Sequence, residues 1–292
     1  MPSTRDIRRR IKSVKNTAQI TKAMQMVAAA KMRKAQQAAL AGRPYADLMN
    51  QVLAEAAPRI ATLKHPLMDV RSGKKRGVIL VSTDKGLCGA LNSNLFREVV
   101  KFDRDATVFI AVGRKAAQFI SRTRRQLAAE FTYKDTPQFG EARAISKFVQ
   151  ALFVKAEVDA VDILFTNFVS TLVQQPKLMP FLPIGKLKAA TAGVNAPAQE
   201  LPASSTTDVF EFEPDEETVL CELLPHSLNF QMHQILLETK ASEQSARMVA
   251  MKNATDNAKE IIKNLTLEYN KLRQANITKE LLEITTAQMA VG

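Results

Sequence analysis

Two long stretches, one at each end of the chain, repeat apolar or small residues at alternating spacings of four and three. This heptad pattern is typical of helices that pack against a partner helix along their length. The chain supplies such a partner for each stretch at its other end. The C-terminal seam consists of Gln244, Met248, Met251, Thr255, Ala258, Ile262, Leu265, Tyr269 and Leu272, and the N-terminal seam of Ile7, Ile11, Val14, Ala18, Thr21, Gln25, Ala28, Met32, Ala35 and Ala39.

The C-terminal stretch predicts one unbroken helix over about 227–289, since no Gly or Pro interrupts it. At ~1.5 Å per residue, that helix is on the order of 90 Å long, longer than a compact domain is wide. Pro225 is expected in its first turn, where Pro is tolerated. A short separate helix is expected before it, after the acidic stretch 211–217.

In the N-terminal stretch, Ser3 and Asp6 form a capping pair that predicts the start of a helix. Its seam residues are small after Val14, which predicts close approach of the two helix axes. A second stripe, consisting of Ile20, Met24 and Val27, lies on another face and should meet a different partner. Gly42 and Pro44 should kink or interrupt the helix, whose pattern resumes through Leu48 and Val52 and stops near Pro58.

Between the helices the hydrophobic period changes to that of buried strands alternating with helices. This alternation predicts a doubly wound α/β domain inserted between the two long helices. We divide the chain into an N-terminal helix (1–58), a linker (59–76), the α/β domain (77–208, ending in a loop over 185–208) and a C-terminal helix (209–292). The predicted strands are 78–81, 107–112, 127–132, 161–165 and 179–184, and the predicted helices 92–102, 114–121 and 141–156.

The net charge of +12 is concentrated at the N-terminus, where residues 1–34 hold ten basic side chains and one acidic one. Such an arm indicates an acidic partner, which charge alone leaves open as nucleic acid, anionic lipid or an acidic protein surface. A well-solvated helix face is the alternative. Residues 1–44 contain no aromatic side chain, which weighs against a nucleic-acid-binding coiled coil, the runner-up interpretation.

Several further features bound the class of protein. The sequence contains no run of ~18 apolar residues, so no membrane span is predicted. The two cysteines, widely separated and without a CxxC, favour a reducing compartment. The heptad pattern begins by Ile7, which leaves no room for a cleavable transit peptide and favours a bacterial protein.

A search for catalytic chemistry yields only weak candidates. The loop 82–90 follows a strand and contains Gly86 and Gly89, but it lacks the G-x-G-x-x-G and G-K-[ST] patterns, so a tight turn is preferred to a nucleotide site. Cys88 is expected to be a small buried residue. His226 and His233 are expected on the helix surface or in packing, because two histidines without a third ligand make a poor metal site. We therefore expect no catalytic, cofactor or metal site.

Three segments together resemble the gamma subunit family of F-type ATP synthases. They occur in the family's order and frame nearly the whole chain, so the combination is highly specific. The segments are 7–32 (IRRRIKSVKNTAQITKAMQMVAAAKM), 83–94 (TDKGLCGALNSN), and 242–257 (SEQSARMVAMKNATDN) with 269–280 (YNKLRQANITKE).

The resemblance implies a mixed α/β and α+β fold: a long antiparallel coiled coil of the terminal helices with an inserted Rossmann-like α/β domain. It implies a central rotor shaft, not an enzyme itself, which couples proton flow through a membrane c-ring to ATP synthesis or hydrolysis. The implied partners are three alpha and three beta subunits, the epsilon subunit and the c-ring, with no nucleic acid, no membrane span and no cofactor. The implied location is peripheral, on the cytoplasmic side of a bacterial inner membrane.

Five residues match family positions that contact or couple to the surrounding alpha–beta ring: Met24, Arg247, Gln274, Thr278 and Glu280. Without the resemblance, each would be interpreted as ordinary coiled-coil surface or seam. Two departures from the family stand out. The pair Ala287-Gln288 replaces a Gly-Ala pair near the tip of the last helix, and residues 185–220 lack the dithiol of the plastid version, so thiol regulation is not expected.

Overall fold

A computed structural model describes residues 3–42, 65–71, 75–184 and 215–291, with a few isolated positions at 44–45, 48–49, 52, 73 and 213. The chain divides into two compact units. The first unit joins Met1–Ala28 to Met248–Gly292, and the second is Ala29–Arg247. The predicted loop 185–208 and the last part of the predicted N-terminal helix, 53–58, lie outside the described residues.

The described elements alternate between helix and strand in the middle of the chain and are long helices at its ends. A one-turn 3-10 helix, Pro66–Met68, precedes the first strand. In chain order the elements are α1 (Thr4–Ala41), β1 (Arg76–Val81), α2 (Leu91–Val100), β2 (Thr107–Val112), α3 (Arg114–Arg122), β3 (Gln126–Phe131), α4 (Phe139–Val154), β4 (Ala160–Phe168), β5 (Gln174–Leu182) and α5 (Glu216–Val291).

The five strands form one sheet in the order β3-β2-β1-β4-β5. β1 pairs in parallel with β2 and β4, and β2 pairs in parallel with β3. β5 is antiparallel to β4, which gives the sheet one antiparallel edge. The predicted doubly wound α/β fold is confirmed, with this hairpin at its edge.

Both faces of the sheet are covered by helices, as parallel sheets require. On one face, β1 and β2 pack against α2 and α3 through a cluster that includes Leu80, Leu95 and Ile120. On the other face, the sheet packs against α4 and against the part of α5 that contains Leu228 and Met232. The part of the C-terminal helix around Leu228 and Met232 is therefore a structural layer of the α/β domain.

The start of α1 agrees with the sequence prediction, and its last residue lies at the interruption predicted for Gly42. The Ser3 hydroxyl accepts a hydrogen bond from the Asp6 backbone N–H (3.2 Å), and the Asp6 carboxylate accepts from the Ser3 N–H (3.3 Å) and hydroxyl (2.7 Å). This reciprocal pair satisfies backbone donors that the first turn of a helix leaves free. At the other end the helix stops at Ala41, directly before Gly42.

The predicted start of the C-terminal helix at Pro225 is wrong. α5 is continuous from Glu216 to Val291, over 76 residues, with Pro225 inside it, so the predicted short separate helix is its first part. Proline removes one N–H from the helix ladder, a cost that flanking packing can offset. Here Leu224 and Leu228, on either side of Pro225, are both buried.

The last two strands are longer than the hydrophobic pattern predicted. β5 begins at Gln174, five residues before the expected start, and β4 runs to Phe168. The missed part of β5 is polar and contains Pro176 because it lies at the edge of the sheet, where one side of the strand faces solvent. Apolar runs detect buried strands and overlook edges of this kind.

The predicted linker packs against the α/β domain in its described part. Leu67 is buried in the larger core cluster. The Arg71 guanidinium donates a 2.5 Å hydrogen bond to the carbonyl of Phe153 and lies 4.5 Å from the centre of the Phe153 ring. These contacts hold the segment before β1 against α4.

Within the second unit, α1 and α5 run antiparallel. The Gln234 side-chain amide donates a 3.4 Å hydrogen bond to the carbonyl of Ala39. Further along the chain, the Tyr45 hydroxyl lies 2.8 Å from Nε2 of His226. From the first contact to the second, the residue number rises from 39 to 45 on one side and falls from 234 to 226 on α5, as expected of antiparallel neighbours.

Candidate partner-binding surface

The two heptad seams are the buried faces of α1 and α5. Every position of both predicted seams is buried or half-buried in the structure. In the first unit the most deeply buried are Ile7 and Ala28, each 1% exposed. The seam prediction is therefore confirmed along its length, from Ile7 to Ala39 and from Gln244 to Leu272.

A polar contact crosses the seam of the first unit. The hydroxyls of Thr21 and Thr255 lie 2.7 Å apart, and both side chains are buried. Two threonine side chains are short, so hydroxyls that touch require helix backbones close together. Each hydroxyl is also within hydrogen-bond distance of a carbonyl of its own helix, that of Ala18 or Met251. The pair therefore fixes the register of α1 against α5 without leaving a polar group unpaired.

The second stripe of α1 faces away from the seam. Ile20 and Val27 are 60% and 55% exposed, and Met24 between them is half-buried. Single exposed apolar residues are common on protein surfaces, but a stripe at helical spacing is a recognised feature of contact surfaces. Met24, one of the five predicted contact residues, lies in the middle of this stripe.

Beyond the seam, the end of α5 is bare. Every residue from Arg273 to Met289 is exposed, including the predicted contact residues Gln274, Thr278 and Glu280. The hydroxyl of Thr278 donates to the carbonyl of Gln274 (2.9 Å) on its own helix. The same stretch exposes large apolar side chains that are normally covered. These are Ile277, Leu281, Leu282, Ile284 and Met289.

The basic side chains of α1 are available to a partner. All ten basic residues between Arg5 and Lys34 are exposed. A dense row of exposed cations on one helix attracts an acidic surface over a distance of about a Debye length, ~8 Å at physiological salt.

The fifth predicted contact residue, Arg247, differs from the other four. It is only 9% exposed, and its guanidinium forms a 2.7 Å ion pair with Glu243. It also lies within hydrogen-bond distance of the carbonyls of Lys85 (3.4 Å) and Gly86 (3.3 Å) in the loop after β1. In the isolated chain this side chain is thus committed to internal contacts.

The loop 82–90 has the wrong polarity for a phosphate site. Phosphate-binding loops direct backbone N–H groups at the ligand. Here two carbonyl oxygens point at the Arg247 guanidinium. Leu87 (φ 64°) and Gly89 (φ 59°) adopt left-handed conformations, which makes the segment a compact turn. These conformations agree with the predicted turn.

Cys88 is a packed side chain within that turn. It is 2% exposed, and its sulfur accepts a 3.4 Å hydrogen bond from the side-chain amide of Asn92. Burial raises the pKa of the Cys88 thiol, with the Arg247 charge opposing the shift. A buried thiol with a raised pKa is a poor nucleophile, which agrees with the prediction of a small packed residue.

The two histidines of α5 pack against aromatic rings. The Phe139 ring centre lies 5.8 Å from the ring centres of both His226 and His233. The His226 ring also hydrogen-bonds to the Tyr45 hydroxyl. Among the described residues no cluster of His, Cys, Asp and Glu is arranged to hold a metal ion. Nor does any helix within them combine the length and apolarity needed to cross a bilayer.

A group of buried polar residues around the start of the C-terminal seam was not predicted from the sequence. Lys240, Ser242, Glu243 and Ser245 are all at most 3% exposed. A signal was present: between Lys240 and Arg247 the helix carries no large apolar residue, although the seam continues beyond it with Met248 and Met251. A polar interval at the start of a seam indicates that the helix meets polar groups there.

Comparisons with known proteins match this architecture. A profile of the family described as ATP synthase matches residues 3–291. The ATP synthase gamma chain of Opitutus terrae is 51% identical over 298 residues, covering 100% of both chains. This chain belongs to the ATP synthase gamma chain family. The gamma chain of Methylacidiphilum infernorum is 46% identical over 297 residues, again across 100% of both chains.

A solved structure shares the fold of this family member. It is the central stalk and c-ring of the Tetrahymena thermophila mitochondrial ATP synthase, whose matching chain is 26% identical with a TM-score of 0.60. The match covers 80% of this chain and 99% of that chain. The family resemblance found in three sequence segments therefore extends to the full length and to the fold.

Proposed function

We propose that this chain is the central rotor shaft of an F-type ATP synthase, which couples ion flow through a membrane c-ring to ATP synthesis or hydrolysis. Catalysis takes place on the surrounding ring of three alpha and three beta subunits, and this chain contributes contacts instead of chemistry. The α/β domain joins the epsilon subunit and the c-ring. The complex is membrane-associated, and we assign this chain to the cytoplasmic side of a bacterial inner membrane, held there by its partners.

The observation that carries the proposal is the bare end of α5. All 17 residues from Arg273 to Met289, the last of α5 whose burial is described, are exposed. An isolated protein normally buries large apolar side chains such as those in this stretch. Enclosure by a ring of partner subunits covers such an end on all sides. Membership of the gamma chain family supplies the identity of that ring.

The proposed contact surface consists of Met24, Arg247, Gln274, Thr278 and Glu280 together with the basic face of α1. An asymmetric shaft drives conformational change only through contacts that differ between the states of its partners. Met24, Gln274, Thr278 and Glu280 are on the exposed or half-exposed faces of the helices, where such contacts form. Arg247 takes part if its internal ion pair with Glu243 is shared or exchanged in the complex.

Reconstitution tests the proposal. The purified chain is mixed with alpha and beta subunits from its host, and ATP hydrolysis by the assembled complex is measured. We expect a stable complex whose ATPase activity depends on this chain. A chain lacking residues 273–292 tests the bare helix end and should bind less tightly. If the full chain does not associate with alpha and beta subunits, the proposal is wrong. Salt-sensitive binding to random duplex DNA would instead favour the nucleic-acid alternative.

A further inference from the structure

The stretch of α5 from Lys240 to Arg247 is buried and polar at once. The name polar joint is used here for its five side chains, Lys240, Ser242, Glu243, Ser245 and Arg247, none of which is more than 9% exposed. Burying charged and hydroxyl groups is unfavourable unless each finds a partner. The partners of these five side chains identify what the stretch does.

The two serines of the polar joint bond to the α/β domain instead of to their own helix. Ser242 donates to the carbonyl of Thr166 in β4 (3.1 Å), and Ser245 donates to the carbonyl of Thr171 in the loop that follows β4 (2.8 Å). Hydroxyls within helices usually bond back to a carbonyl of the preceding turn. Ser227 and Thr266 of α5 do so, to Leu224 and Ile262, both at 2.7 Å.

The charged side chains of the polar joint reach two further loops. Glu243 lies between Lys240 (3.0 Å) and Arg247 (2.7 Å). Arg247 extends to the carbonyls of Lys85 and Gly86 after β1. Lys240 extends to Asp135 after β3 (3.3 Å).

Asp135 also connects the polar joint to α1. Its carboxylate accepts a 2.5 Å hydrogen bond from Lys31, on the part of α1 that belongs to the second unit. One short segment of α5 is thus bonded to the loops after β1, β3 and β4, and one of those loops is bonded to α1. All of these contacts lie within the second unit.

Bonds in several directions from about two turns of a helix fix its angle about its own axis. Apolar packing does this less well, because dispersion contacts are non-directional and a rotated helix can recover many of them. Buried ion pairs add little net stability compared with apolar residues of the same size. Their presence in place of an apolar seam is therefore explained better by positioning than by stability.

On this basis we infer that the polar joint locks α5 at a fixed rotational angle to the α/β domain, so that rotation of the domain turns the shaft without slippage. The five side chains are positioning residues and touch no reacting group. This inference rests on the proposed function and extends it, since it identifies where torque enters the shaft helix.

The test compares two double variants in the complete ATP synthase, assayed in inverted membrane vesicles. The joint variant is Ser242→Ala with Ser245→Ala. The control variant is Ser227→Ala with Thr266→Ala, which removes two hydroxyls that bond only within α5. Two measurements are made on each: the rate of ATP hydrolysis, and the ions pumped per ATP hydrolysed.

We expect the joint variant to hydrolyse ATP at close to the normal rate while pumping severalfold fewer ions per ATP. Loss of two hydrogen bonds of ordinary strength corresponds to slippage that is faster by on the order of 30-fold. The control variant should pump normally. If hydrolysis and pumping fall in proportion, the two hydroxyls contribute only to folding or assembly, and the inference is wrong. It is also wrong if neither rate changes, because the hydroxyls then have no role in coupling.

A second variant guards against failure of assembly. Glu243→Gln keeps the shape of the side chain and weakens its bonds to Lys240 and Arg247, and it should lower the pumping ratio in the same way. Cysteines placed at 171 and 245 replace the hydrogen bond between Ser245 and Thr171, and a short thiol cross-linker between them should restore the number of ions pumped per ATP. If the cross-linked protein still pumps too few ions per ATP, the inference is wrong. If the unmodified chain supports no coupled pumping, the proposed function fails, whereas normal pumping by every variant rejects only the polar joint.

Discussion

Two adjacent stretches of α5 contact their neighbours by opposite means. Over 240–247 the buried side chains are charged or hydroxylated and bond in several directions, whereas over 251–265 the buried side chains are Met251, Thr255, Ala258 and Leu265. The first stretch meets β4 and the loops that follow the carboxyl ends of β1, β3 and β4, and the second belongs to the seam of a coiled coil. One helix thus uses directional bonds to fix an angle in the first stretch and seam packing against another helix in the second.

The difference shows how one helix serves two mechanical needs. The carboxyl ends of the strands offer backbone carbonyls at fixed positions, so hydrogen bonds to them define orientation. A second helix offers a repeating surface, where the hydrogen-bonded pair of Thr21 with Thr255 defines register.

Glu243→Leu should be the most damaging substitution. It removes the carboxylate between Lys240 and Arg247, which leaves the buried Arg247 without a counter-charge and Lys240 with only the half-exposed Asp135. Breaking a buried ion pair from one side costs about 3–5 kcal/mol. Urea unfolding of the isolated chain measures the loss. The control Glu283→Leu removes a carboxylate from an exposed pair with Lys279 (3.6 Å) and should change stability by less than about 1 kcal/mol. Equal effects of the two substitutions would contradict the account of the polar joint.

Ala28→Trp should disrupt the seam next most strongly. Ala28 is 1% exposed, so a large ring has no space unless α1 and α5 separate. Overpacking of this kind costs about 1–3 kcal/mol. The matched substitution Ala23→Trp, at an exposed position of the same helix, should be nearly neutral for the isolated chain. Unfolding by heat, followed by circular dichroism, separates the two. A stable Ala28→Trp protein with normal coupled ATP synthesis would show that the assigned register is wrong.

The threonine pair should show a smaller and non-additive effect. Thr21→Val or Thr255→Val alone removes the bond between helices, but the remaining hydroxyl still bonds to a carbonyl of its own helix. We expect each single substitution to cost about 0.5–1.5 kcal/mol and the double substitution to cost less than the sum. A double-mutant cycle from urea unfolding measures the coupling. Strict additivity would mean that the two hydroxyls do not interact.

The smallest effect concerns Asp135, whose carboxylate is more than half exposed. The hydrogen bond from Lys31, helped by Lys240, lowers its pKa from the ordinary 3.8 to about 2. Because the folded-state pKa is lower than the unfolded one, the ionised carboxylate favours folding above about pH 4, and this contribution is lost as the pH falls from about 4 to about 2. Asp135→Asn should therefore be less stable than the unmodified chain at pH 6, with the gap closing by pH 2. A gap that is constant with pH would contradict this.

The regular parts of the fold could be predicted from the sequence because they follow from periodicity. Both seams were predicted residue by residue, since a helix that packs along its length repeats its buried positions. β2 was predicted to the residue, because a buried parallel strand is a continuous apolar run. The polar start of β5 was missed for the opposite reason, since an edge strand needs no such run.

The missed features depend on contacts between distant parts of the chain. Continuation of α5 through Pro225 depends on the burial of Leu224 and Leu228, which local propensity does not report. The polar joint depends on carbonyls of β4 and of the loops after β1 and β4, and on the Asp135 carboxylate after β3, all far from α5 in sequence. Of the predicted contact residues, Met24, Gln274, Thr278 and Glu280 are on accessible or partly accessible faces, but the bonds of Arg247 to Glu243 and to the loop after β1 were not foreseen.

The central claim is that this chain turns as a shaft inside the alpha–beta ring. It is tested most directly by attaching a gold particle to a single cysteine at position 101, an exposed site at the end of α2, with Cys88 and Cys221 replaced by serine. The ring of alpha and beta subunits is fixed to a surface, and the particle is observed while ATP is hydrolysed. The account predicts stepwise rotation in one direction that stops when ATP is withdrawn. A particle that keeps one angle while hydrolysis proceeds at the normal rate would contradict it.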